Sequence, residues 1–338
     1  MKSAVPFHAA AALALALFLN ACEKSTPPQA SETKPVPEAA PAPEKPAEVA
    51  KVADAPETPK EPDFAPPVHL NGFGSDEPAI RTDEPARGVI KVDPKDVKRM
   101  TAAHWEQFDC TNLTLKRWGR YEVRVTYTLR HATLGSQFRF GQQAMKKLLV
   151  ASSQPKRVVY GEVYVEKPGT YPFVLYIAAT GAEAGFEVQE IAFAPAPEGP
   201  APEQQADGTL VLEAKSATTW SENMRYEPKP EKNCLGFWTS EEDLAEWTFN
   251  VTKPGRYKVT VVHGCGGGNE GSEVAVKLGG QELKFTTQDT GGFQEWKELA
   301  IGEIDIAKKG LTRLVIDPVS KAKSAVLDVQ KVVLTPAG

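Results

Sequence analysis

Lys253-Pro254-Gly255-Arg256-Tyr257-Lys258-Val259-Thr260-Val261-Val262 decides the fold, because a version of it stands 136 residues earlier as Gly119-Arg120-Tyr121-Glu122-Val123-Arg124-Val125-Thr126-Tyr127. In both, apolar and polar side chains alternate, the pattern of a strand with one face buried. Pro254 fixes φ and Gly255 permits positive φ, so the pair sets a turn ahead of the strand. The match continues outward, with Gly135-Ser136 answering Gly271-Ser272 at the same offset. Beyond an insertion of five residues the offset is 141: Gly161-Glu162-Val163 pairs with Gly302-Glu303-Ile304, Lys167-Pro168-Gly169 with Lys308-Lys309-Gly310, and Val188–Phe193 with Val329–Leu334. A repeat this long describes two whole domains, which argues against a solenoid.

The remaining sequence sets the boundaries. Residues 23 to 66 hold eleven Pro, nine Ala and seven Glu, too few apolar side chains to offset the entropy of ordering. A disordered tether is expected there, reaching on the order of 100 Å if extended as polyproline II. A second Pro-rich stretch, Ala194 to Gln205, divides the rest. Short runs rich in Val, Tyr, Phe and Thr, cut by Gly and Pro, fill both parts, and neither has a long segment of helical periodicity. The expected class is all-β: two tandem antiparallel β-sandwiches. The expected order is a signal peptide (1–21), tether (22–66), first sandwich (67–196, with an irregular lead-in to about 100), linker (197–207) and second sandwich (208–338).

Lys2 followed by the apolar run Ala9–Leu19 has the form of a secretory signal and is shorter than the roughly 20 apolar residues of a spanning helix. The run ends in Leu19-Asn20-Ala21-Cys22, which resembles the lipobox of bacterial lipoproteins. That resemblance implies a lipid on Cys22. Glu23 follows the cysteine instead of the Asp that commonly retains lipoproteins in the inner membrane, so the expected address is the outer membrane, on its periplasmic or cell-surface face. Three further cysteines remain, Cys110, Cys234 and Cys265. Export permits disulfides, and Cys234 with Cys265, both in the second domain, is the expected bridge. Hydrophobic residues make up 41%, charged residues 25%, and the net charge is −5. No basic stripe for nucleic acid is present.

The second domain carries a recognisable series of landmarks: Leu212-Glu213-Ala214, Gly236-Phe237-Trp238, Glu246-Trp247-Thr248-Phe249, the Lys253–Tyr257 turn, Gly291-Gly292-Phe293-Gln294-Glu295-Trp296, and Val326-Leu327-Asp328-Val329. This order resembles the family 6 and family 35 carbohydrate-binding modules and the wider jelly-roll, galactose-binding-like sandwiches. The resemblance implies a loop-end cleft in which sugar rings stack on Phe237 or Trp238 and on Phe293, with Tyr226 and Arg225 alongside. It also implies a structural calcium at Glu213 and Asp328. Three departures stand against these implications: Phe293 where Trp is usual, Val326 where an Asn often supplies a hydrogen bond, and Lys215 where a second Glu is expected. Trp247 and Trp296 are expected in the core.

Catalysis is not expected. His8, His69, His104, His131 and His263 are scattered, and no H-E-x-x-H, G-x-S-x-G, Walker or dinucleotide motif is present. Glu241-Glu242-Asp243 reads as a solvated loop. Gly264–Gly268 joins two strands, whereas a phosphate cradle needs a helix behind it. The expected function is non-catalytic glycan binding by a lipid-anchored protein, with polysaccharide or envelope glycan as partner and no cofactor beyond the possible calcium. The alternative is a structural or protein-interaction lipoprotein whose sandwiches dock an enzyme or envelope partner. In that scheme the first domain is a degenerate spacer whose Gly135–Val150 loop is basic.

Overall fold

A computed structural model describes residues 81, 83–102, 104–178 and 185–338. The signal, Cys22 and the tether lie outside the described residues. The first copy comprises β1 (Ile90–Lys91), β2 (Val97–Ala102), β3 (Trp105–Leu115), β4 (Gly119–Phe140), β5 (Gln143–Val165), β6 (Gly169–Ile177) and β7 (Phe186–Pro195). The second comprises β8 (Leu210–Glu213), β9 (Thr218–Trp220), β10 (Arg225–Glu227), β11 (Cys234–Gly236), β12 (Leu244–Val251), β13 (Gly255–Cys265), β14 (Glu273–Leu278), β15 (Gln281–Thr286), β16 (Gly292–Ile306), β17 (Gly310–Ser320) and β18 (Asp328–Pro336). All pairings are antiparallel, and no strand of one copy pairs with a strand of the other among the described residues.

The second copy is a sandwich of two sheets, β8-β18-β13-β16 facing β15-β14-β17-β12-β9, with β10-β11 added beside β18. Trp247, Phe249, Val259, Val261, Ile316 and Val332 fill the space between them. The first copy has the same order drawn with fewer breaks. Its long β4 pairs with β7 through residues 121–129 and with β6 through residues 136–140. The sheet therefore folds over itself, and the Phe138 ring meets Phe193 of the opposite arm at 6.0 Å. Gly135–Val150, expected as a loop, is the hairpin of β4 and β5.

Strand register shows the duplication directly. Val123 faces Phe193 and Gly161; Val259 faces Leu334 and Gly302, the residues at offsets 136 and 141. Each copy then has a bulge at the same place, after Val123 and after Val259. Gly161 and Gly302 sit there at φ 146° and 138°, a region L-residues rarely enter. Tyr121 donates its hydroxyl to the Arg117 carbonyl (3.1 Å), and Tyr257 does the same to Lys253. Each pins a chain corner four residues upstream.

The five inserted residues have a location. Counted from the hairpin turns, Phe140 matches Leu278 and Gln143 matches Gln281, an offset of 138. Two extra residues therefore precede this hairpin and three follow it. They lie where the second copy breaks the long strands, at loops 266–272 and 287–291. By the same count Ser136 corresponds to Val274, so its apparent match to Ser272 is displaced by two.

The described residues fall in one compact unit. Residues 197–207 are packed along the body: Gly199 donates to the Lys215 carbonyl at 2.7 Å, and Gln204 bonds Thr252, Lys253, Gly208 and Tyr257. The lead-in is a strap across both copies. Arg81 forks onto Glu246 (2.6 and 3.0 Å), Arg87 pairs with Asp243 and Glu242, and Asp83 with Arg313, while Glu84 holds Arg124 and Arg157 of the first copy. Asp243, expected in a solvated loop, is fully buried by this pairing.

Candidate functional site

The four aromatics expected to form a sugar cleft do not come together. Trp238 is 1% exposed and belongs to the core of the second sandwich. Tyr226 pairs with Leu235 and packs against the same core, its hydroxyl bonding Asn233 at 2.7 Å. Burial pushes its phenol up to about 12. The alternation explains both: on β10 and β11 Tyr226 and Leu235 point inward, while Arg225, Glu227 and Cys234 take the outer face.

Phe237 has been taken by the first sandwich. Its ring meets Trp118 edge-on at 5.6 Å, and the Arg225 guanidinium lies 3.7 Å from the centroids of both rings. Phe237 holds this position with φ 61°, left-handed backbone that a bulky residue adopts at a cost of about 1–3 kcal/mol. Arg225 is buried, and that burial, with Arg117 close by, lowers its pKa to about 10. Cation–π contact at a desolvated site is worth about 2 kcal/mol. Arg117 completes the junction through Thr219 Oγ1 (2.7 Å) and the Thr219 and Met224 carbonyls. Arg117 and Trp118 were missed in the sequence reading. The available signal was that Trp118 stands where the second copy has Pro254, a bulky ring in place of a turn residue.

Phe293 alone remains at the loop end. It lies at the start of β16 and is half-buried, with its ring over the Gly266 backbone. A Cβ at Gly266 would come within 2.9 Å of that ring, so glycine is what allows the close approach. The polar side chains of Asp289, Gln294 and Lys297 come from the same segment. Thr290 ties the two loops together, accepting from the Cys265 N–H (2.8 Å) and donating to the Cys265 carbonyl. These are the loops that carry the inserted residues. Trp296, expected in the core, is half-exposed on β16.

The expected calcium pair does not fit a cation. Glu213 Oε2 is 2.7 Å from Lys215 Nζ, so an ammonium already occupies that carboxylate, whereas calcium needs six to eight oxygens. Asp328 lies instead in a buried cluster with Glu227 and Cys234. There Lys232 sits 2.8 Å from Glu227, and Gln294 reaches Asp328 at 3.4 Å. Burial, reinforced by Glu227, pushes Asp328 up to about 8, and burial likewise raises the Cys234 thiol. Asp328 and the Cys234 thiol are thus held toward their protonated forms at neutral pH.

The expected Cys234–Cys265 bridge is not formed. Both thiols, and Cys110, are free and buried. Cys234 faces Asp328 on the outer side of β11, while Cys265 ends β13 against the Gly266 carbonyl.

A family model described as a domain of unknown function (DUF5077) matches residues 216–337. No curated protein matches. Solved structures similar to the chain include the C-terminal family 6 carbohydrate-binding module of a laminarinase from Zobellia galactanivorans (18% identity, 38% of this chain and 98% of that one, TM-score 0.30). A family 35 module from Clostridium thermocellum matches at 14% identity over 38% of this chain and 98% of its own (TM-score 0.32). A xanthan lyase from Paenibacillus matches at 12% identity over 75% of this chain and 25% of its own (TM-score 0.31).

Proposed function

We propose that the protein is a non-catalytic glycan-binding protein, held to the outer membrane by a lipid on Cys22, with its sugar platform at Phe293. The observation that carries this is the half-buried Phe293 ring on Gly266, with the Asp289 carboxylate beside the adjoining Gly267, at loops the second copy has and the first lacks. An aromatic face flanked by polar side chains is the chemistry that stacks a sugar's C–H face and bonds its hydroxyls. The sequence resemblance of residues 208–338 to carbohydrate-binding modules supports the same reading. A glycan array on the purified protein should give binding that Phe293→Ala weakens about tenfold, equivalent to about 1.4 kcal/mol. No bound glycan, or binding indifferent to Phe293→Ala, would sink the proposal.

A second reading, docking of an enzyme or envelope partner, has its own support. The first copy presents β5 as a sheet edge with Leu148 and Val150 half-exposed, and edges with apolar side chains invite another strand. A silent array, together with cross-links from position 148 to a co-purified protein, would favour it.

A further inference from the structure

Between the strap and the two copies lies a cavity of about 490 Å³, within the size range of small-ligand sites and at the kind of domain junction where they are often found. Its lining includes Arg87, Lys91, Lys116, Arg117 and a single acid, Glu222. Two of the cations are already matched, Arg87 by Asp243 and Glu242, and Lys91 by Glu190 at 2.5 Å. The other two are not. Arg117 is 5% exposed and spends three of its five N–H groups on neutral oxygens of Thr219 and Met224. Neither Arg117 nor Lys116 has an ion-pair partner among the described residues. Behind Arg117 stands the buried Arg225, bonded to the Asn223 carbonyl and, among the described residues, to no carboxylate. A buried guanidinium that faces a cavity with spare donors, and that no carboxylate bonds among the described residues, is poised to take an anion.

We propose that this junction cavity binds a small ligand through its oxyanion, a carboxylate or sulfate group, held by Arg117 and Lys116. The site belongs to neither copy alone. Arg117 and Lys116 come from the first, Ser221 and Glu222 from the second, and the strap forms another wall. It is also independent of the Phe293 platform.

Calorimetry with the purified protein tests it, using glucuronate, its neutral methyl ester and inorganic sulfate as probes. Glucuronate should bind at least tenfold more tightly than the ester. Lys116→Glu, at an exposed position, should weaken it fivefold or more, and Arg117→Gln should abolish it, while Phe293→Ala leaves it unchanged. Should Arg117→Gln fail to fold, Lys116→Glu still decides. Equal affinity for acid and ester, no binding of either anion, or binding that survives Lys116→Glu would overturn the proposal. Sulfate bound without glucuronate would mean an adventitious ion only and would overturn it too. Loss of glucuronate in Phe293→Ala alone would move the site to the loop end.

Discussion

Replacing Glu198 by Gln should make the protein more stable at pH 8 and leave it nearly unchanged at pH 4. Glu198 sits in the packed segment between the copies, accepting the Arg120 backbone N–H at 2.7 Å. The Arg120 side chain is 3.5 Å from its other oxygen, which favours the ionised form, yet burial dominates and pushes the carboxyl from 4.5 up to about 7. In the unfolded chain the group ionises near its ordinary value. Between about pH 4.5 and 7 the folded state therefore holds a proton that the unfolded state has lost, and stability falls as pH rises. The rise from 4.5 to about 7 corresponds to about 3 kcal/mol, lost at no more than about 1.4 kcal/mol per pH unit. Gln accepts the same N–H and carries no proton to lose. Urea unfolding of wild type and Glu198→Gln at pH 4 and pH 8 measures the difference, and the Asp328 contribution, common to both proteins, cancels. Glu198→Gln that is destabilised equally at both pH values would show that the carboxylate is ionised and paired with Arg120, and the reasoning would fail.

Two further outcomes follow from the repeat and the thiols. Gly161→Ala and Gly302→Ala should each cost about 1–3 kcal/mol in calorimetric unfolding, because both hold positive φ at matching bulges; a neutral effect at either would break the equivalence. Cys110, Cys234 and Cys265 should resist maleimide in the folded protein and all react after denaturation without reductant. A non-reducing peptide map joining Cys234 to Cys265 would contradict this.

The fold was legible because alternation, turn residues and register are local properties, and a duplication writes them twice. Tyr121 with Tyr257 and Gly161 with Gly302 could be paired by counting alone. The site was less legible, since the same count cannot tell whether an aromatic on a strand meets the core, solvent or another domain. Trp238 and Tyr226 turned inward by strand phase. Phe237 was lost to Trp118, a residue 119 positions away whose approach no local pattern signals. Glu198 was hidden for a related reason: an acid in a Pro-rich stretch reads as exposed until packing encloses it. Five extra residues were visible as a shift of offset, but only the broken strands showed that they build the Phe293 loops.

The strap has a mechanical consequence. Arg81 grips Glu246 in the second sandwich before the chain turns back to build the first. Tension arriving from upstream of residue 81 is thus delivered first to the distal module, and reaches the proximal one, through Glu84 on Arg124 and Arg157, once Arg81 and Asp83 have let go. A pull on the N-terminus should accordingly peel the strap from the junction cavity while both sandwiches stay folded.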